Sequence, residues 1–248
     1  EKKSNEDEDN WSDLIALTEA LNEPDATLAE KLEPLLDVDS ALRALALDNF
    51  LVNMDSYAGM GQNYYLYRRP ADGKFEFIIW DPSLSFGAFG VNGVDPRLVP
   101  LEYLQANRGP GGGGPGVPPG AGVPAAPNAS RPLATKLWAN AKYKARYYEI
   151  YRELAEKVVD SNEIVARSYA LQTMIRGWFN NDTQKLTSMA AFETAITQAI
   201  QTVTPGVPGV PPVIPGGPGG GPGGFGGAPG IETLMRGRVE FVKSQLPK

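Results

Sequence analysis

Two tracts rich in glycine and proline, residues 107–131 and 204–230, decide first what this chain can fold into. Neither keeps the strict third-residue glycine of collagen, so both read as flexible insertions. Without them roughly 200 residues remain, a common size for one domain with a sizeable core, and residues 1–248 therefore read as a single domain. Both tracts fall between predicted elements, where loop-closure entropy makes an insertion inexpensive.

The remaining sequence is mostly helical in pattern. Trp11, Leu14, Ile15 and Leu21 share one face of a first helix, and Thr27 with Glu30 fits a capping box for a second. A third helix is expected from about Asp39 to Val52, with Leu42, Leu45 and Ala46 inward. Tyr143, Tyr147, Ile150, Tyr151, Leu154 and Val158 form a later helical stripe. Further helices are expected near 161–179 and 189–203, and Met235, Val239, Val242 and Leu246 sit at helical spacing in the last. One β-hairpin interrupts the series. Tyr64 to Tyr67 and Phe75 to Trp80 are rich in aromatic and β-branched residues, and Pro70 to Gly73 between them have turn chemistry. The expected fold is thus α+β, mostly helical, with a central hairpin.

Composition excludes several chemistries. Histidine and cysteine are both absent. Ser-His-Asp and Cys-His catalysis, thiolate chemistry, disulfides and histidine-type zinc sites are therefore ruled out together. A net charge of −6 argues against nucleic acid or an anionic membrane as a general partner. No apolar run approaches the ~18 residues of a membrane-spanning helix. The acidic start, Glu6 to Asp9, reads as a solvated end.

The polar groups best placed for chemistry are Asp55, Asn63 and Asp81, at the ends of strand-like segments. A turn centred near Asp72 sets Asn63 opposite Asp81, and a cross-strand pair of that kind brings Cα atoms to roughly 4.5–5.5 Å. One Mg²⁺ can then bridge both side chains, and a one-residue slip in register would separate them. Asp55 lies upstream in a glycine-containing loop short enough to fold back over the hairpin mouth. Each has a plainer reading: Asp81 before Pro82 also suits a turn cap. Asp48 and Asn53 read as helix-end or packing residues. Tyr64, Tyr65 and Tyr67 read as packing residues, Arg68 and Arg69 as an exposed strand-end pair, and Trp80 as a core anchor.

Three ordered segments, Leu47 to Tyr57, Asn63 to Tyr67 and Trp80 to Gly87, resemble the signature of the spore-coat protein H (CotH) kinase-like family. A weaker likeness extends over most of the chain. The resemblance implies an atypical protein-kinase-like catalytic, C-terminal lobe. It places the catalytic Asp on Asp55, the metal-binding Asp on Asp81 and the metal-holding Asn on Asn63. It further implies Mg²⁺ or Mn²⁺ with ATP as cofactors, a protein substrate with Ser or Thr hydroxyls, and an extracytoplasmic location, secreted or in the cell envelope. The alternative is a non-catalytic surface or adhesion module that keeps the kinase-like fold. Asn63 follows Asp55 by eight residues, against about five in the kinase pattern, so a bulge is expected near Gly59 and Gly61. Gln62 stands where the family often has His, and Ser83 where it often has a second acidic or amide residue. The chain begins Glu1-Lys2-Lys3-Ser4, so it is expected to be a fragment lacking an upstream nucleotide-binding part and inactive alone. Oligomeric state is left open by the sequence.

Overall fold

A computed structural model describes residues 3–4, 10–88, 91, 94–104, 131–185, 187–198 and 229–247. Among them are eight α-helices and one two-stranded antiparallel sheet, an α+β arrangement dominated by helix. The helices are α1 (Ser12–Leu21), α2 (Asp25–Leu32), α3 (Val38–Phe50), α4 (Pro132–Ala139), α5 (Ala141–Glu153), α6 (Ser161–Asn181), α7 (Met189–Thr194) and α8 (Ile231–Gln245), and the strands are β1 (Tyr64–Arg68) and β2 (Phe75–Ile79).

Helix α3 is the axis of the fold. Asp37 caps it by accepting from the Ser40 amide, and Leu42, Leu45 and Ala46 are buried as their spacing requires. It packs against α5 on one side and β2 on another. The hydroxyl ends of the α5 tyrosines stay buried because each finds an acceptor: Tyr147 donates to Leu101 O at 2.9 Å and Tyr151 to Asn49 Oδ1 at 2.5 Å. On the solvent side Arg146 and Arg43 share Asp39 and Glu153, joining the same two helices. The hairpin docks beside the start of α3 through a bridge between Leu36 and Phe75. Its inner face stacks Tyr64 on Phe77 at 5.1 Å, and Tyr57 meets both rings edge-on.

Several expectations are corrected. In α1 the buried residues are Leu17, Ala20 and Leu21, whereas Trp11 and Ile15 are exposed. Thr27 is not a cap: α2 starts at Asp25 behind Pro24, and the Thr27 hydroxyl bonds to Glu23 and the Pro24 carbonyl instead. A π-helical turn over Leu154–Val158 breaks the α5 stripe and leaves Val158 in solvent. Helix α7 ends at Thr194, and residues 199–203 of the longer helix expected there lie outside the described residues. Most of both glycine/proline tracts also lies outside them, but their last residues do not behave as flexible chain. Arg131 and Gly230 are buried, the first in front of α4, a helix the sequence reading did not anticipate, and the second in front of α8. A Cβ on Gly230 would stand 2.5 Å from the Thr197 carbonyl carbon, so glycine is required by the approach of the two segments. No helix among the described residues is long and apolar enough to cross a membrane.

Candidate functional site

The site is built where α3 ends. Asn53 N bonds back to Asp48 O, and the chain then turns through Asp55 and closes a compact loop before β1. Met60 N and Gly61 N return to Met54 O and Ser56 O at 3.1 and 2.9 Å. At Gly59 an added Cβ would lie 1.8 Å from Met54 O, and Gly61 has φ +78°, so the bulge falls at the two expected glycines. Gly59→Ala is expected to cost about 3 kcal/mol, because backbone rather than a movable side chain must yield. A lowered urea midpoint measures it.

Arg131 and Tyr57 hold this loop against α4. The Arg131 guanidinium donates to Tyr57 O at 2.5 Å and Gly59 O at 2.8 Å, and the Tyr57 hydroxyl accepts from Leu133 N at 3.1 Å. Burial pushes the Tyr57 phenol up to about 12, so it stays protonated.

Asp55 is buried at 8% exposure, and both carboxylate oxygens are engaged by carboxamides. Asn63 Nδ2 donates to Asp55 Oδ2 at 2.8 Å and to Asp55 O at 2.9 Å, and Gln62 Nε2 donates to Asp55 Oδ1. Behind it, Asp55 N donates to Asn53 Oδ1 at 3.2 Å, and Asn53 Nδ2 donates to Asp48 Oδ1 at 3.0 Å. Asp48 and Asn53 are both buried, in keeping with a packing role at the helix end. Gln62, a departure from the family pattern, was not expected as a site residue. Its place directly before Asn63 was the available signal.

The facing pair of Asn63 and Asp81 is not formed. Tyr64 pairs with Ile79 and Arg68 with Phe75, so Asn63 falls opposite Trp80, whose amide donates to Asn63 O at 3.0 Å. The cause is the turn. Gly73, at φ +72°, closes a loop over Pro70–Gly73 by donating to Arg69 O, which centres the hairpin between Ala71 and Asp72 rather than on Asp72. Asn63 instead turns to Asp55. Asp81 lies past the strand end, exposed, with its carboxylate accepting from Ser83 N at 3.3 Å, which realises the turn-cap reading. It lines an open depression of about 470 Å³ with Ile79, Trp80 and Pro82. Trp80 is exposed against Tyr65 rather than anchoring the core. Arg68 and Arg69 pair with Asp13, Asp37 and Asp72.

Backbone strain gathers in this region. Among the described residues the non-glycine positions with positive φ are Val52, Asn63, Asp81 and Phe86. Each costs roughly 1–3 kcal/mol, and such residues concentrate at functional sites. Phe86 N and Gly87 N bond back to Leu51 O and Val52 O at 2.7 and 3.2 Å, so the segment after Asp81 returns to the start of the Asp55 loop. No group of three or more Asp, Glu, His or Cys side chains able to hold a metal is present among the described residues. The donors at hand are the Asn63 carboxamide oxygen and the Asp81 carboxylate. They are hard oxygen ligands of the kind that suit Mg²⁺, which is commonly held by one or two carboxylates with substrate phosphates and water.

A search of curated proteins finds no match to the chain. The family model described as CotH kinase protein matches residues 1–204, most of the chain and all of the site just described, and the chain belongs to the CotH kinase family.

Proposed function

We propose that this chain carries the acceptor-hydroxyl and metal side of a phosphoryl-transfer centre, moving the γ-phosphoryl group of ATP to Ser or Thr of an extracytoplasmic protein. The observation that carries the reading is the buried Asp55 carboxylate, held from two sides by Gln62 and Asn63 in a chain of the CotH kinase family. Two carboxamide donors fix its orientation, so no reorganisation is needed when a hydroxyl arrives.

Asp55 orients the substrate hydroxyl and takes its proton as the hydroxyl oxygen bonds to the γ-phosphorus. The bond to the β–γ bridging oxygen breaks and ADP leaves. Asn63 Oδ1 and Asp81 would hold Mg²⁺ or Mn²⁺, which when bound neutralises charge on the phosphates. Asp81 borders the open depression, and its carboxylate, which accepts from Ser83 N, keeps an oxygen for the cation in this reading. Asn63 has a double duty, with its nitrogen on Asp55 and its oxygen available to the cation. The lobe is read as kinase-like on the same grounds.

The test is transfer of label from γ-labelled ATP by the full-length protein with Mg²⁺ or Mn²⁺, beside Asp55→Ala and Asp81→Ala. The wild type is expected to label and both variants to fall to background. Equal labelling in all three overturns the assignment, and no labelling in any favours a non-catalytic surface module.

A further inference from the structure

Helix α6 runs for 21 residues, yet only Val165, in its first turn and a half, is buried. Beyond that point Leu171, Met174, Ile175 and Trp178 stand exposed at 55%, 66%, 42% and 82%. Their spacing of three, one and three residues places them on one helical face. Helix α7 covers a different face, through Phe192 stacked on Phe179 and Glu193 paired with Arg176. A helix whose apolar face meets water is marginal by itself, and four large apolar side chains contiguous on one exposed face, Trp178 at 82% among them, form the kind of patch that suits a contact surface.

Gly177 adds an independent observation. Glycine inside a helix is destabilising, and the conformation here does not require it, since no positive φ is recorded. A Cβ at Gly177 would meet nothing within 4 Å, so packing among the described residues does not require it either. Gly177 and Ala170 lie seven residues apart beside the stripe, where small side chains let a second helix approach closely.

We propose that this face of α6 is the interface of a homodimer in which two α6 helices pair antiparallel about the midpoint between Met174 and Ile175. The occupant is argued from charge. About that midpoint Leu171 meets Trp178 of the second copy, Met174 meets Ile175, and Arg167 meets Asp182, so a two-fold axis matches large apolar residues and opposite charges twice over. Arg167 already leans on Glu163 at 2.6 Å within its own helix, and Asp182, the C-cap just past the last turn, accepts from Gln184 N at 2.7 Å, so both charged heads stand at the surface and can share a second partner. The paired segment spans about 22 Å of helix. The inference stands independently of the phosphoryl-transfer reading.

The test is sedimentation equilibrium of the full chain. The wild type is expected at twice the chain mass. Trp178→Glu, which alters an exposed side chain and so preserves the helical circular dichroism, is expected to raise the dissociation constant about 100-fold. Arg167→Asp and Asp182→Arg are each expected to weaken the dimer about tenfold, and the double reversal to restore it to within about threefold of wild type. A monomeric wild type, or a dimer indifferent to Trp178→Glu, overturns the proposal. A double reversal no tighter than the single ones overturns the antiparallel arrangement.

Discussion

Arg238→Met is expected to destabilise the chain by about 4 kcal/mol. Arg238 lies on α8 with 0% exposure, and among the described residues no carboxylate pairs with it. Its guanidinium is divided among carbonyl groups. It donates to Asn49 Oδ1 at 2.7 Å, Asn49 O at 3.2 Å and Phe50 O at 3.4 Å, and to Val99 O and, more weakly, Arg97 O. Two of these carbonyls belong to the last turn of α3, where helical geometry leaves acceptors without partners and the dipole favours a cation. Burial pulls the guanidinium below its ordinary pKa, but arginine begins so high that it remains charged at neutral pH. Methionine fills part of the volume and supplies no donor, so several buried carbonyls lose their partner at about 1–3 kcal/mol each before relaxation. Against a typical stability of about 5–15 kcal/mol that loss is large. Arg238→Lys keeps the charge without the planar fork, and about half the loss is expected. Chemical denaturation measures both, and a midpoint unchanged in Arg238→Met would show that these carbonyls find water instead.

The same anchor bears on the site. Asn49 accepts from Arg238 and Tyr151 and donates to Pro100 O at 3.1 Å, so α8, α5 and the 96–101 segment converge on the residue next to Asp48. The end of α3 is thus fixed from outside before the chain enters the Asp55 loop. Nothing in the sequence announces this. An arginine at helical spacing in an amphipathic segment looks like a surface residue, and only the converging carbonyls make it a core one.

Local pattern was legible where a segment packs in the centre of the fold, and it misled at the exposed ends, as at Trp11, Thr27 and Val158. The inward residues of α3, the tyrosines of α5 and the hairpin all follow from periodicity and β-propensity. Glycines 59 and 61 were legible because Asn63 follows Asp55 by eight residues against about five in the kinase pattern, and glycine admits the bulge that the extra length implies. The hairpin register was not, because shifting the turn centre by half a residue changes the partner of Asn63 while leaving the turn composition the same. Side-chain alternation also fails at Asn63 and Asp81, since both have positive φ and neither is extended backbone. Helix α4 was hidden by its position directly behind a glycine/proline tract, where Pro132 reads as more of the same although proline suits the first turn of a helix.

Asp48 is expected to make the chain less stable as pH rises from about 4 to about 8, by up to about 4 kcal/mol relative to Asp48→Asn. Asp48 is 4% exposed, and burial pushes its carboxyl from 3.8 up to about 7, opposed only by the Asn53 amide that donates to it. The folded state therefore binds a proton more tightly than the unfolded chain does. Stability from this group is full below the unfolded pKa near 3.8 and is lost as pH climbs through about 7. Asp39, Asp72, Asp95, Glu33 and Glu153 act in the opposite sense, since arginine or lysine partners lower their pKa and their contribution fades as pH falls. Comparison with Asp48→Asn at each pH cancels those groups. Asparagine keeps an oxygen to accept from Asn53, so the link from Asn53 Oδ1 to the Asp55 amide is preserved, and what is removed is the buried charge. The difference in unfolding free energy between wild type and Asp48→Asn should then be small below about pH 4, grow in favour of the variant between about pH 4 and pH 7, and level off above that. A difference that stays flat across that range would mean that Asp48 ionises in the folded chain as readily as in water, and that the turn after α3 admits solvent.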